Sequence, residues 1–316
     1  MKTLGRTVFF VYGLLFITSL NSAPLDAGMA AAFTSARAVG RLQDERLVEC
    51  SGMDASLSAP GMLWAVNDGG HGPFLYALAS DGRNLGRVQV RGARNRDWEA
   101  LDTFLWQGRP MILIADFGDN KEQHSTHTLY IVPEPVLKGD VFEASAAVEV
   151  AWRILFRYPD GGHDAEGVAV DTAGGEGLVL TKRDAPPLLF SLPLDPPPGE
   201  TPVTARKVAE IDEIPPPSAA DLTKKFGAFS SQPTALDLSA DRRRALVLTY
   251  KHAYLFRRES GASWGDAFRD VPQQIPLPTE NKALRQREAI CFAPDDRAIF
   301  VTSEGKGAGI FRLDAR

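Results

Sequence analysis

Glu49-Cys-Ser-Gly-Met53, Glu99-Ala-Leu-Asp-Thr103, Glu166-Gly-Val-Ala-Val170, Thr234-Ala-Leu-Asp-Leu238 and Glu288-Ala-Ile-Cys-Phe292 are five versions of one phrase. Four of them begin with glutamate. Each opens a short alternating run, and a second apolar run follows at 62–66, 111–115, 177–181, 245–249 and 298–302. Turn clusters such as Asn67-Asp-Gly-Gly70, Phe117-Gly-Asp-Asn120 and Pro294-Asp-Asp296 bound these runs. Many short strands with regular turn signals point to an all-β protein, and recurrence at long spacing points to a repeat architecture.

The phrase starts at 49, 99, 166, 234 and 288, which leaves room for four strands per unit. Four-stranded units of that length are propeller blades with insertions. The first unit is expected to use 45–53, 61–67, 74–79 and 83–91, and the second 98–105, 110–115, 127–133 and 148–157. Inserts fall at 121–127, 194–204, 215–231 and 259–266. The last unit has length for three strands only, at 288–292, 298–302 and 309–313. The segment Ala36-Arg-Ala-Val-Gly-Arg-Leu42 is the natural fourth, which closes the ring and hides sheet edges. The fold expected is a five-bladed β-propeller over 36–316, closed by an N-terminal strand. Six blades is the alternative if the third or fourth unit hides another. No linker divides the chain; Pro215-Pro-Pro217 is the strongest break and opens a loop.

Residues 1–23 read as a secretory signal peptide: Lys2 and Arg6 precede an apolar run over 8–20, and Asn21-Ser22-Ala23 offers a small residue for cleavage. An uncleaved anchor is the alternative. A periplasmic or secreted, monomeric protein without a membrane span in its mature chain is expected. Net charge is −5, so bulk electrostatics do not favour a nucleic-acid partner. Cys50 and Cys291 fall in the first and last copies of the phrase. A disulfide between them and two buried free thiols both stay open, since geometry decides.

First strands line a propeller's channel, so the opening residues Glu49, Glu99, Glu166, Thr234 and Glu288 are expected to face one another. A second aligned position, at the end of the second strand, holds Asp68, Asp116, Lys182, Tyr250 and Glu304. So many carboxylates at one mouth need a counter-charge. Arg96, Lys182 and Arg183 could supply it, and so could Ca2+, which takes hard oxygen ligands. Turn formation and salt bridges between blades are the bland explanations for the same residues. His163, in Asp160-Gly-Gly-His-Asp164, is expected near the mouth as a general base or a phosphate-facing group, or as a loop histidine paired with Asp164. The chain has no nucleophile elbow, no H-E-x-x-H and no Walker A loop.

Trp64-Ala-Val-Asn-Asp68, Asn95-Arg-Asp-Trp-Glu-Ala-Leu101, Ile114-Ala-Asp-Phe-Gly-Asp-Asn120, Leu129-Tyr-Ile-Val-Pro-Glu-Pro135 and Gly162-His-Asp-Ala-Glu-Gly-Val168 resemble exported bacterial β-propellers grouped with phytase-like esterase propellers. More distantly, the chain is similar to five-bladed calcium-activated nucleotidases. That likeness implies calcium in the central channel and an acid opening most blades. Glu49, Glu99, Glu166 and Glu288 match; Thr234 departs, and no match to the nucleotide-binding residues of those enzymes is found.

The expected function is hydrolysis of a small ester or phosphoester. Glu99, Glu166 or His163 would be the base, and Arg96, Lys182, Arg183 and Tyr250 would hold the substrate. Glu49, Asp68, Asp116, Glu288 and Glu304 would hold Ca2+. The rival is a non-catalytic propeller that binds a carbohydrate, peptide or protein partner.

Overall fold

The computed structural model describes residues 32–195, 201–278 and 284–316. The signal-peptide segment 1–23 lies outside them. The described residues form five antiparallel sheets in a ring. Blade 1 is built from Cys50–Ala55, Met62–Asn67, Phe74–Ala79 and Asn84–Arg91. Blade 2 uses Trp98–Trp106, Arg109–Asp116, His127–Pro133 and Trp152–Arg157. Blade 3 uses Ala165–Asp171, Glu176–Thr181, Leu188–Pro193 and Arg206–Glu210. Blade 4 uses Pro233–Leu238, Arg244–Thr249, Ala253–Arg257 and Gln273–Ile275. Blade 5 is Arg287–Phe292, Ala298–Ser303 and Gly309–Asp314, completed by Arg37–Arg41 from the N-terminal side, which pairs antiparallel with Gly309–Asp314. The five-bladed architecture and the closing strand are as the repeat predicts.

The five first strands touch in cyclic order, and their residues are buried almost throughout. Their close approach needs small side chains. A Cβ on Gly52 would lie 2.8 Å from the Cα of Ala100, and one on Gly167 2.8 Å from the Cβ of Leu236. The corresponding residues in blades 2, 4 and 5 are Ala100, Ala235 and Ala289. A larger residue here would push neighbouring blades apart.

The inserts cover sheet edges. Ala147–Glu149 pairs parallel with the outer strand of blade 1, and Val203–Thr204 pairs parallel with the outer strand of blade 2. The stretch 148–157, expected as one strand, is therefore split between two blades. Glu134 clamps this crossing: its carboxylate accepts from Ser56 Oγ (2.5 Å), Ser58 N (3.0 Å), Ser58 Oγ (2.7 Å) and the buried Trp64 Nε1 (2.9 Å). Apolar clusters fill the seams between blades. The largest joins Phe104, Phe117, Phe156 and Phe190 from blades 2 and 3. Cys50 and Cys291 are free thiols buried together in the seam between blades 5 and 1, where burial pushes Cys50 up to about 12.

Candidate functional site

All five inner strands carry a β-bulge at the same level, between Cys50 and Gly52, Trp98 and Ala100, Ala165 and Gly167, Pro233 and Ala235, and Arg287 and Ala289. The bulged residues are Ser51, Glu99, Glu166, Thr234 and Glu288. A bulge frees one residue from the ladder and re-aims its side chain. The ring at the mouth thus holds three carboxylates and two hydroxyls. Glu49 is not its fifth member, as the phrase suggested, but precedes the strand, half-exposed and 3.4 Å from His71.

The second polar position also shifts. Cys50 faces Asn67 and Trp98 faces Asp116, whereas Ala165 faces Thr181, Pro233 faces Thr249 and Arg287 faces Ser303. The first hairpin is thus one residue longer, and the second two longer, than the other three. Asp68, Lys182, Tyr250 and Glu304 do share a level, but blade 2 places Phe117 there. Asp116 sits one residue earlier, buried, and accepts from the amides of Arg96 (3.1 Å) and Asp97 (2.8 Å).

A cavity of about 930 Å3 opens over this ring. Glu49, Asp68, Glu99, Glu166, Lys182, Arg183, Tyr250, Glu288 and Glu304 line it, which gathers most of the residues expected at the mouth. Arg96, Asp116 and His163 do not. Arg96 is bound to Thr126 O and His127 Nδ1. His163 is locked between Asp184 (Nδ1, 3.0 Å) and Asp160 (Nε2, 3.0 Å), and its ring packs on Tyr158 and Phe190. The hydrogen bond to Asp184 leads in pushing its pKa up to about 9. Such an imidazolium is a poor base at neutral pH.

Lys182 and Glu166 form a buried ion pair on the cavity wall. Burial raises Glu166 to about 7 against the pull of Lys182. Burial disfavours the Lys182 ammonium, yet Glu166 holds it above the ordinary lysine range. Arg183 donates to Asp164 (2.7 Å) and to Asn120.

Three carboxylates, Asp68, Asp97 and Glu99, present oxygens within 4.8 Å of one another. Burial, then Asp68, pushes Asp97 up to about 7, and burial, then Glu166, pushes Glu99 well above its usual range. Asp97 escaped the sequence reading because it lies outside the inner strand, in the turn that Asp116 holds. The only signal was its place two residues before Glu99. Glycines cradle the group. A Cβ on Gly118 would stand 2.5 Å from Glu99 Oε1 and 2.6 Å from Asp97 Oδ2, and one on Gly69 would strike Asp97 Oδ1. The cluster therefore fits a hard cation: an all-oxygen donor set, charged groups crowded together, and backbone kept clear around it.

A second trio, Asp54, Asp102 and Asp237, lies three residues further along the inner strands of blades 1, 2 and 4. These carboxylates reach forward to the next blade, accepting from the amides of Thr103 (2.6 Å), Val170 (2.8 Å) and Phe292 (2.6 Å). Asp54 and Asp237 also accept from the amides of Ala55 and Leu238. One oxygen of each of the three is committed to joining two blades. By contrast, among the described residues no backbone amide reaches the Asp97 or Glu99 carboxylate.

The fold and site define the class: a five-bladed β-propeller with a charged cavity over one mouth of its channel. No family model matches the chain, and no curated protein does. Among solved structures, a protein from Bacteroides uniformis proposed to be a 6-phosphogluconolactonase is 17% identical with a TM-score of 0.38, over 84% of this chain and 67% of its own. Kuenenia stuttgartiensis hydrazine synthase is 6% identical with a TM-score of 0.41, over 81% of this chain and 68% of its own.

Proposed function

We propose that this propeller is an exported hydrolase of a small ester or phosphoester, with a divalent cation, Ca2+ by its donor set, held at Asp68, Asp97 and Glu99. The observation that carries this reading is the clustered carboxylates Asp68, Asp97 and Glu99, of which Asp97 and Glu99 accept from no backbone amide among the described residues, with Asp68 and Glu99 lining one open cavity beside the buried Glu166–Lys182 pair. A cation bound there would supply charge neutralisation for the reacting group. Glu166, raised to about 7, is matched to accept a proton from an attacking water near neutral pH. Lys182 keeps that carboxylate oriented, and Arg183, fixed by Asp164, faces the substrate's negative charge. Of the expected metal residues, Glu49, Glu288 and Glu304 line the same cavity and add negative potential. Asp116 positions Asp97 through the turn amide instead.

The test is a panel of esters and phosphoesters assayed with Ca2+ and with EDTA. The proposal expects cation-dependent turnover that declines below about pH 7 as Glu166 takes a proton, and a fall of about 100-fold or more in Glu166→Gln. Turnover indifferent to EDTA would remove the cation from the reading, and no turnover on the panel would return the protein to the rival class of non-catalytic binders.

A further inference from the structure

The crossing between blades 3 and 4 presents an exposed apolar surface. It carries Leu222, Phe226 and Phe229, which are 60%, 66% and 44% exposed, and these two phenylalanines are the only aromatic residues among the exposed large apolar side chains of the described residues. Phe226 and Phe229 line the cavity, together with Lys224 and Lys225. Solvent-facing rings beside ammonium groups do nothing for folding.

Yet the segment is built. Ser218 and Asp221 cap its short helix reciprocally (Ser218 Oγ to Asp221 Oδ2, 2.5 Å; Asp221 N to Ser218 Oγ, 3.2 Å). Lys251 of blade 4 donates to Asp221 (2.6 Å), and Gly227 packs so tightly on the Asp221 carbonyl that a Cβ would clash. The rings are therefore presented by an anchored frame. Other residues that line the same cavity hold unsatisfied, buried polar atoms. Glu288 Oε2 belongs to a side chain only 6% exposed and has no hydrogen-bond partner; Arg287 Nε, on a residue 4% exposed, and Ser230 Oγ have none either. Buried polar groups without partners are costly, and a ligand that supplies partners removes that cost.

We infer that this crossing is a substrate-recognition wall that selects an anion joined to an apolar or aromatic group. Phe226 and Phe229 hold the apolar group, and Lys224 and Lys225 attract the anionic head. Glu288 Oε2 takes one of the ligand's remaining polar atoms, while Arg287, whose terminal nitrogens donate to Tyr250 O (2.6 Å) and Pro278 O (2.7 Å), has only its Nε to offer. The volume of about 930 Å3 falls in the range of sites that enclose a whole small molecule. This assignment deepens the hydrolase reading and rests on it for the name substrate, but its binding test does not need turnover.

The test is calorimetric titration of the intact protein with phenylphosphonate, methylphosphonate and benzoate. Phenylphosphonate is expected to bind about fivefold to tenfold more tightly than methylphosphonate, as ring contacts of this kind provide. In Phe226→Ala/Phe229→Ala that preference disappears, while Lys224→Ala/Lys225→Ala weakens both phosphonates alike. All four side chains are exposed, so melting temperatures should stay near wild type. Benzoate matching phenylphosphonate shows that the wall takes either anionic head; benzoate failing where phenylphosphonate binds assigns a phosphoryl head. Equal binding of the two phosphonates, no binding of either phenyl compound, or a preference that survives loss of both rings overturns the wall. Absent turnover with the ring preference intact would sink the hydrolase reading alone.

Discussion

Glu166 and Lys182 show how one residue can be mistaken for a simpler object. The opening acid of blade 3 is legible in the repeat, and so is the lysine at the end of the next strand. Their pairing is not, because it depends on a bulge that turns Glu166 toward the second strand. Breaking a buried pair leaves a charge without compensation. Lys182→Met should destabilise the protein by about 3 kcal/mol in urea unfolding, and adding Glu166→Gln should recover much of that loss. Two independent, additive losses would show that the pair is not coupled.

Of the expected roles of His163, the paired loop histidine is the nearer, but its partners are Asp160 and Asp184 rather than Asp164. Its folded pKa of about 9 lies above the ordinary histidine value of 6.5, so the native state holds the proton more tightly. The stabilisation is fully present below 6.5 and is lost as pH rises through 9. His163→Gln should therefore lower the urea midpoint clearly at about pH 6 and much less at about pH 10. A penalty that grows with pH would reverse the assignment.

At the level of strands, hydrophobic runs and turn clusters disclosed the strands of blades 1, 2 and 5 and the two inner strands of blades 3 and 4, but not the outer strands Leu188–Pro193, Arg206–Glu210, Ala253–Arg257 and Gln273–Ile275. The register did not follow, because side chains repeat every two residues and hairpin length is unconstrained by pattern. Two extra residues in the second hairpin put Phe117 at the level expected for Asp116, and the first bulge falls at Ser51, two residues beyond Glu49. The conserved feature of the ring is the bulge, followed by Gly52, Ala100, Gly167, Ala235 or Ala289. The parallel strands laid over blades 1 and 2 were also illegible, since two or three residues carry no period. Glu134, the clamp of one such crossing, is the place to test them. Glu134→Ala strands Trp64 Nε1 and the two serines, and should cost about 3 kcal/mol of stability. A loss under about 0.5 kcal/mol would mean the crossing rests on apolar packing alone.

At the scale of the whole molecule, the missing fourth strand of the last unit was the most informative absence in the chain. Arg37–Arg41 fills it, so the ring is held shut by pairing between the two ends of the propeller. Removing residues through 41 exposes the edge of Gly309–Asp314, and should lower Tm by about 10 °C or more and promote association through that edge. Unchanged melting would mean that the seams alone keep the ring closed. Closure also sets the chemistry. It brings Asp68 from blade 1 against Asp97 and Glu99 of blade 2, with Glu166 from blade 3 and Glu288 from blade 5 on the same cavity. Asp54, Asp102 and Asp237 each give one oxygen to a blade-to-blade amide, while Asp97 and Glu99, which accept from no backbone amide among the described residues, keep theirs for something else.

Whether that something is a cation is read most directly by titrating Ca2+ into EDTA-treated protein in a calorimeter, beside Asp97→Asn. Asp97 is half-buried and outside the inner strand, so its amide variant should fold normally. Binding of one Ca2+ per chain to the wild type, lost in Asp97→Asn at unchanged melting temperature, is the predicted result. No heat of binding in the wild type, or the same binding in the variant, would contradict a cation site at Asp68, Asp97 and Glu99.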